Sequence, residues 1–246
     1  MRSCSLVVCA CVLLCGCQRQ AESEWAYSQS VQELSPELQS ALGDELRKYA
    51  GTYAEPKLII DESLETATLK KGQAVYQKRC VQCHDISGDG NGPAAAAMYP
   101  KPRDYRRGIY KFTSTMYGSK PLRDDLIRTV KRGIRGTSMP SFKLRPDDEI
   151  EAIVDYVLTV SLRGELEEQL VYAADLDGEI TTEIVEEDAL PLVLERWEEA
   201  PEQQIRPFTP QPQLTAENVE EGRKAFLSKG CSKCHGEDGR GRTAEN

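Results

Sequence analysis

Apolar residues recur with a helical period at four places along the chain. Leu34, Leu38, Leu42 and Leu46 fall every four residues, with Ser35 placed to cap and Pro36 at the first helical position. This predicts one amphipathic helix inside an N-terminal extension. Over residues 66–80, Leu69, Gly72, Val75, Tyr76 and Arg79 share one helical face. Over 122–132, Leu122, Leu126, Ile127 and Val130 share another, and Gly133 marks its stop. The cleanest stripe is Ile150, Ile153, Val154, Val157 and Leu158, preceded by Pro146 and the acids Asp147, Asp148 and Glu149. It predicts a helix over 147–160. Residues 85–121 are a Gly- and Pro-rich loop, and no stretch alternates as a strand would. The expected fold class is all-α.

Charge divides the chain more sharply than its total of −9 over 246 residues suggests. Residues 101–145 hold thirteen Lys or Arg against three Asp, a net of +10. Residues 163–202 hold fourteen acids and two bases, a net of −12. That acidic stretch reads as a solvated connector with some helix, passing into a hinge at Pro201, Pro207, Pro210 and Pro212. The acidic total argues against nucleic-acid binding. The one long apolar run, Ser5 to Cys17, is too short to span a bilayer.

That run follows Arg2 and reads as an export signal. Its end, Leu14-Cys15-Gly16-Cys17, resembles a bacterial lipobox. The resemblance implies cleavage before Cys17, acylation of its thiol and a lipid-anchored protein in the periplasmic space. Gln18 stands where an Asp would favour inner-membrane retention, which leans toward the outer membrane. The other reading is an ordinary cleaved signal that happens to be rich in Cys.

The chain has nine Cys and two His, and their distribution carries the chemistry. Five Cys lie in the first seventeen residues. The other four form Cys80-Val81-Gln82-Cys83-His84 and Cys231-Ser232-Lys233-Cys234-His235. Each is preceded by Gly-x-x-x-aromatic (Gly72 and Tyr76, Gly222 and Phe226) and followed by Gly four and six residues after the His. This is an internal repeat. Cys-x-x-Cys-His is the attachment signature of c-type haem. Two thiols a helical turn apart reach the two vinyl groups on one porphyrin edge, and the next residue, His, comes under the iron. A zinc ribbon would want the pairs about 15–20 residues apart, and 147 residues intervene between Cys83 and Cys231. A thioredoxin-like pair needs a βαβ setting that is absent. Disulfides would not require a His after each pair.

With no third His, the soft partner for the sixth position is Met. Excluding Met1, the candidates are Met98, Met116 and Met139. Met139 lies in Gly136-Thr137-Ser138-Met139-Pro140, 55 residues after His84 and just before the last helix, where a loop can fold over the second haem face. Met98 and Met116 read better as packing residues.

Residues 66–162 resemble a class I cytochrome c domain: the Gly72/Tyr76 helix, the Cys80–His84 attachment, Pro93, the Met139-Pro140 loop and a final helix with Tyr156 come in that family's order. The resemblance implies haem c held by Cys80 and Cys83 with His84 and Met139 as axial ligands. It also implies Gly72 packed on Tyr156 where the terminal helices cross, and a Pro93 carbonyl accepting from His84 Nδ1. The second copy, residues 215–246, departs from the pattern. Thr243 and Ala244 stand where Gly92 and Pro93 stand in the first, and no Met follows. It is expected to be an incomplete haem domain with Cys231, Cys234 and His235 as its attachment set, the chain being a fragment of a longer di-haem protein. The organisation expected is a signal over 1–17, an extension over 18–65, a cytochrome domain over 66–162, a connector over 163–214 and the incomplete domain over 215–246.

The function expected is electron transfer without catalysis, to redox proteins that are acidic where they dock on the basic stretch. The alternatives are a cytochrome subunit of a larger oxidase or dehydrogenase complex, and a haem enzyme or sensor with an open sixth position.

Overall fold

A computed structural model describes residues 24–241. The export segment with Cys17 lies outside the described residues, as do Thr243 and Ala244. The described chain is helical, and its only β pairing is two isolated bridges, Gly51 with Pro56 and Thr115 with Gln204. It divides into two compact units, one reaching to Gln204 and one from Ile205 onward.

In the first unit, α1 (Gln29–Gln32) and α2 (Pro36–Ala50) form the extension. The Ser35 hydroxyl accepts from Leu38 N at 3.3 Å, so the cap falls where the sequence places it. Leu42, Leu46 and Ala50 are buried, giving α2 one face to pack. The attachment segment is α3 (Thr66–Arg79) followed by the single turn α4 (Val81–His84). Beyond the long loop come α5 (Arg123–Arg132) and α6 (Asp147–Asp177).

Helix α6 is the axis of the unit. Its 31 residues span about 46 Å at 1.5 Å per residue. It runs seventeen residues beyond the expected end and stops at Gly178 in the left-handed region (φ 74°). Both α2 and α3 pack on it, as does α5. Gly72 explains the closeness of the α3 crossing: a Cβ there would sit 1.9 Å from the Ala152 carbonyl oxygen. The expected pairing of Gly72 with Tyr156 is therefore displaced by one turn. Gly72 meets backbone at Ala152, while Tyr156 packs on Tyr76, with ring centroids 5.2 Å apart. Trp25, from the extension, donates its indole N–H to Tyr156 Oη at 3.2 Å.

The acidic stretch is not a solvated connector. After α6 the chain forms α7 (Thr182–Ile184), a π turn over 185–189 and α8 (Leu190–Glu198). Leu166, Leu170, Val185, Val193 and Trp197 are buried in one core with Leu42, Leu46 and Leu69. Two of its acids are buried with partners. Glu165 pairs with Lys120 and accepts from the Trp197 indole at 2.9 Å; Glu167 pairs with Arg163 at 3.0 Å. The extension, residues 66–162 and residues 163–204 share one unit, in place of three successive pieces.

The second unit, as far as it is described, holds α9 (Ala216–Ser228) and the turn α10 (Ser232–His235). Thr215 caps α9 by accepting from Asn218 N at 3.2 Å, and no residue of α9 is buried.

Candidate haem site

The attachment turn is built locally. His84 N donates to Cys80 O at 2.9 Å and Cys83 N to Cys80 O at 3.0 Å, which holds both thiols and the imidazole on one turn. The chain then reverses at Asp85, whose φ of 62° is the one positive value for a non-glycine among the described residues. Gly90 N returns to His84 O at 3.1 Å.

The turn opens on a cavity of about 280 Å³ between α3, α5, α6 and the two loops. Cys80, Cys83 and His84 line one part of it, and Met139 also lines it. Leu126, Val130, Ile153, Val154 and Val157 supply apolar walls from α5 and α6. Met98 lines the cavity too, so it is more than a remote packing residue; Met116 is absent from the lining and is half exposed. The Met139 loop is pinned at its base by Ile134 N donating to Met139 O (3.1 Å) and Phe142 N to Val130 O (3.2 Å). A Cβ on Gly133 would strike the Pro140 carbonyl group, so the loop closes tightly there.

His84 is oriented by two groups, neither of them Pro93. Nδ1 lies 3.2 Å from the Arg103 carbonyl oxygen. A carbonyl only accepts, so Nδ1 carries the proton and Nε2 keeps its lone pair. Nε2 accepts from the Tyr105 hydroxyl at 2.9 Å, and the Tyr105 ring stacks on the imidazole at 4.4 Å. Pro93 is exposed and does not line the cavity. The segment around it packs instead on the attachment turn, where Ala94 N donates to Gln82 O at 2.8 Å. Burial pushes the His84 imidazole below its ordinary pKa, against the pull of the Arg103 carbonyl. Burial, reinforced by neighbouring Cys83, pushes the Cys80 thiol up to about 12. A thiol held protonated in this way is a poor nucleophile or thiolate ligand at neutral pH. All four described cysteines are free thiols, and no three His, Cys, Asp or Glu side chains among the described residues are placed to hold a metal ion.

This donor set fits a c-type haem. Two thiols on one turn, an imidazole in the tautomer that leaves Nε2 able to ligate, a thioether and apolar walls face the same space. Arg103 and Tyr105 are the site residues that the sequence reading missed. Their signal was the position of Tyr105 and Tyr110 in the loop after the motif, five residues apart and both on the cavity wall.

Residues 67–157 match the family model for cytochrome c oxidase, cbb3-type, subunit III. The match, which covers less than half of the chain, supports a cytochrome c domain there. A cytochrome c domain implies electron transfer, with haem c as its cofactor. Among solved structures, the chain is similar to a component of the Kuenenia stuttgartiensis reducing HAO-like protein complex, at 26% identity and a TM-score of 0.47. The similarity covers 70% of this chain and 63% of that one, less than two thirds of its length.

The second Cys-x-x-Cys-His belongs to the second unit. In its own unit, Cys231, Cys234 and His235 are exposed, and the Phe226 and His235 rings lie 6.5 Å apart.

The basic stretch is less free than its net charge implies. Six of its thirteen cations pair with carboxylates: Arg106, Lys120, Arg123, Arg128, Lys131 and Arg145. The acids of residues 163–202 do not mask the cavity rim. Arg79, Lys101, Arg103 and Lys111 line it, are exposed, and make no ion pair among the described residues.

Proposed function

We propose that this chain is an exported, lipid-anchored electron carrier of the bacterial periplasmic space. Cys80 and Cys83 would hold a covalent haem c, with His84 and Met139 as its iron ligands. Cys231, Cys234 and His235 attach a second. The observation that carries this reading is the meeting of Cys80, Cys83, His84 and Met139 on one apolar cavity. Cys17 in its lipobox setting supports the anchor, with the outer membrane favoured by Gln18.

When bound, the haem supplies a one-electron Fe(III)/Fe(II) couple. The chain's own part is positional. The Arg103 carbonyl holds the His84 ring and its tautomer. Nε2, which accepts from the Tyr105 hydroxyl at 2.9 Å, is the atom that would hold the iron. The Met139 thioether favours the reduced state and raises the potential relative to a second His. Side chains of α5 and α6 keep water from the metal. The exposed cations Arg79 and Lys111 at the rim steer an acidic redox protein toward the cavity edge. Electron-transfer rates that do not change with ionic strength would count against that steering.

The test is ligand assignment in the haem-loaded protein. Met139→Ala abolishes the near-infrared charge-transfer band of a thioether-bound ferric haem and lowers the potential, while Met98→Leu leaves both. The reverse result assigns the ligand to Met98. A high-spin wild-type spectrum overturns the closed site and favours an enzyme or sensor.

A second reading, a fixed subunit of a larger oxidase-type complex, draws on the family match over 67–157. Co-purification of a stable assembly from membranes would favour it over a free shuttle.

A further inference from the structure

Residues 25–28 stand outside the family match over 67–157, and the electron-transfer reading makes no use of them. They lead into α1 without helical structure of their own. Each of them touches a distant part of the chain. Trp25 donates its indole N–H to Tyr156 Oη at 3.2 Å, and its ring meets Tyr53 edge-on, with centroids 5.6 Å apart. Ala26 N donates to Ser87 Oγ at 2.6 Å. Ser28 N donates to Glu167 Oε1 at 2.8 Å. The Arg163 guanidinium, paired with Glu167, lies 5.2 Å from the Trp25 ring centre and 5.4 Å from that of Tyr27. This short segment is a strap laid across α6 and the loop that follows His84.

Two routes run from the strap to His84. In the longer one, the Tyr156 ring packs on Tyr76, which lines the haem cavity and donates its hydroxyl to Asp85 O at 2.9 Å. The shorter one passes through Ser87, which is buried three residues after His84. Ser87 N donates to Asp85 Oδ2 at 3.4 Å, Gly88 N to Asp85 O at 3.3 Å, and Gly90 N to His84 O at 3.1 Å. From the other side α6 closes on the same loop: a Cβ on Gly88 would sit 2.7 Å from Val160 Cγ1. Gly88 O in turn accepts from Tyr105 N at 2.7 Å, next to the Arg103 carbonyl that orients the imidazole. Trp25 also packs in one apolar cluster with Cys80, Ile153 and Val157, which line the cavity.

We propose that residues 25–28 are a positioning strap for the His84 side of the haem site. Through Ser87 and Tyr156 the strap fixes the loop that sets His84 and keeps water from that side of the cavity. Trp25 and Ser87 do not line the cavity themselves, so they act through other residues. Shielding from water favours the less charged ferrous state, so a seated strap raises the potential. The inference rests on the haem reading of the cavity.

The test uses the full chain with haem attached: wild type, Trp25→Ala, Trp25→Phe, Ser87→Ala, Ser87→Thr, and Val193→Ala as a control. The control loosens the buried packing of α8 and touches neither strap nor cavity. Attachment is checked first by intact mass. Amide hydrogen exchange at Gly88 and Gly90 and the midpoint potential are then compared. Ser87→Ala and Trp25→Ala are expected to speed exchange at both amides by about tenfold, as loss of a hydrogen bond that holds a loop does. Both should also lower the potential. Ser87→Thr, which keeps the hydroxyl, should restore wild-type values. Val193→Ala should lower thermal stability and leave both amides and the potential unchanged. If Trp25→Ala does not load haem, Trp25→Phe, which removes only the indole donor, carries the same expectation. Haem-loaded strap variants with wild-type exchange and potential, or with changes no larger than those of Val193→Ala, overturn the inference alone. A wild-type chain without haem overturns the proposed function with it.

Discussion

The two Cys-x-x-Cys-His turns are nearly the same object in different surroundings. In each, the His N–H returns to the first Cys carbonyl, at 2.9 Å from His84 and 3.0 Å from His235. In each, the following residue takes a positive φ, 62° at Asp85 and 72° at Gly236. In each, a Gly six residues on donates to the His carbonyl, at 3.1 and 2.7 Å. Their surroundings differ completely. Gly72 packs against the Ala152 backbone, and nothing lies within 4 Å of a Cβ at Gly222. The turn is a local code that a dozen residues can write. A cavity needs long-range partners: α6, the Met139 loop, and the carbonyl of Arg103.

The sharpest way to break the comparison is to remove the thiols. Cys80→Ser with Cys83→Ser is expected to abolish covalent haem in the first unit, and with it the thioether-ligated spectrum. Cys231→Ser with Cys234→Ser should leave that spectrum unchanged. Loss of the first spectrum in both pairs would show that the copies are one coupled site.

Next in size is the ion pair that ties the first turn's surroundings together. Lys120 and Glu165 are both buried, with side chains 3% and 6% exposed. Lys120→Met leaves the Glu165 carboxylate with the Trp197 indole but without its ion-pair partner, and should cost about 3–5 kcal/mol in denaturant unfolding. A loss within experimental error would mean that α8 does not brace the cavity segment.

Gly72→Ala should destabilise the first unit by about 1–3 kcal/mol, because its Cβ meets backbone that cannot rotate away. Gly222→Ala, in the open setting, should be neutral or add about 0.5–1 kcal/mol through helix propensity. Equal effects in thermal unfolding would contradict the difference in packing.

Two smaller effects sharpen the picture. Asp85→Gly supplies the residue that the second copy uses at the same backbone angle, and should stabilise by about 1 kcal/mol. Asp125 is the pH-sensitive group. Burial pushes its carboxyl up, but N–H groups of Ser114 and Leu122 and the Arg128 guanidinium outweigh this and hold it below its ordinary value. Its contribution is then complete above the unfolded pKa of about 3.9 and is lost as pH falls through the folded value. Asp125→Asn should flatten the acid limb of the stability curve.

Much of this was legible in the sequence, because helical periodicity and the attachment motif are short-range signals. Helix α3 and helix α5 fall within a residue of their expected limits, and Ser35 caps α2 as its position implied. Helix α6 exceeds the 147–160 that its apolar stripe predicts, because acids after residue 162 that look solvated in the sequence are not. Glu165 and Glu167 are buried instead, each neutralised by a cation that the linear pattern cannot assign. The Leu162, Leu166 and Leu170 stripe continues through them. The family resemblance implies Pro93, nine residues on, as the partner of His84, whereas the loop brings Arg103 from nineteen residues away. That pairing depends on close approaches at Gly88 and Gly90, which spacing alone does not disclose.

The most direct test of the central claim is the intact mass of the mature full-length protein, produced with haem-attachment machinery, followed by peptide mapping. The account predicts a haem increment on the peptide containing Cys80 and Cys83, and a second on the peptide containing Cys231 and Cys234. An increment confined to the first peptide would limit function to that unit. No increment, with both thiols of the first turn free, would contradict the account.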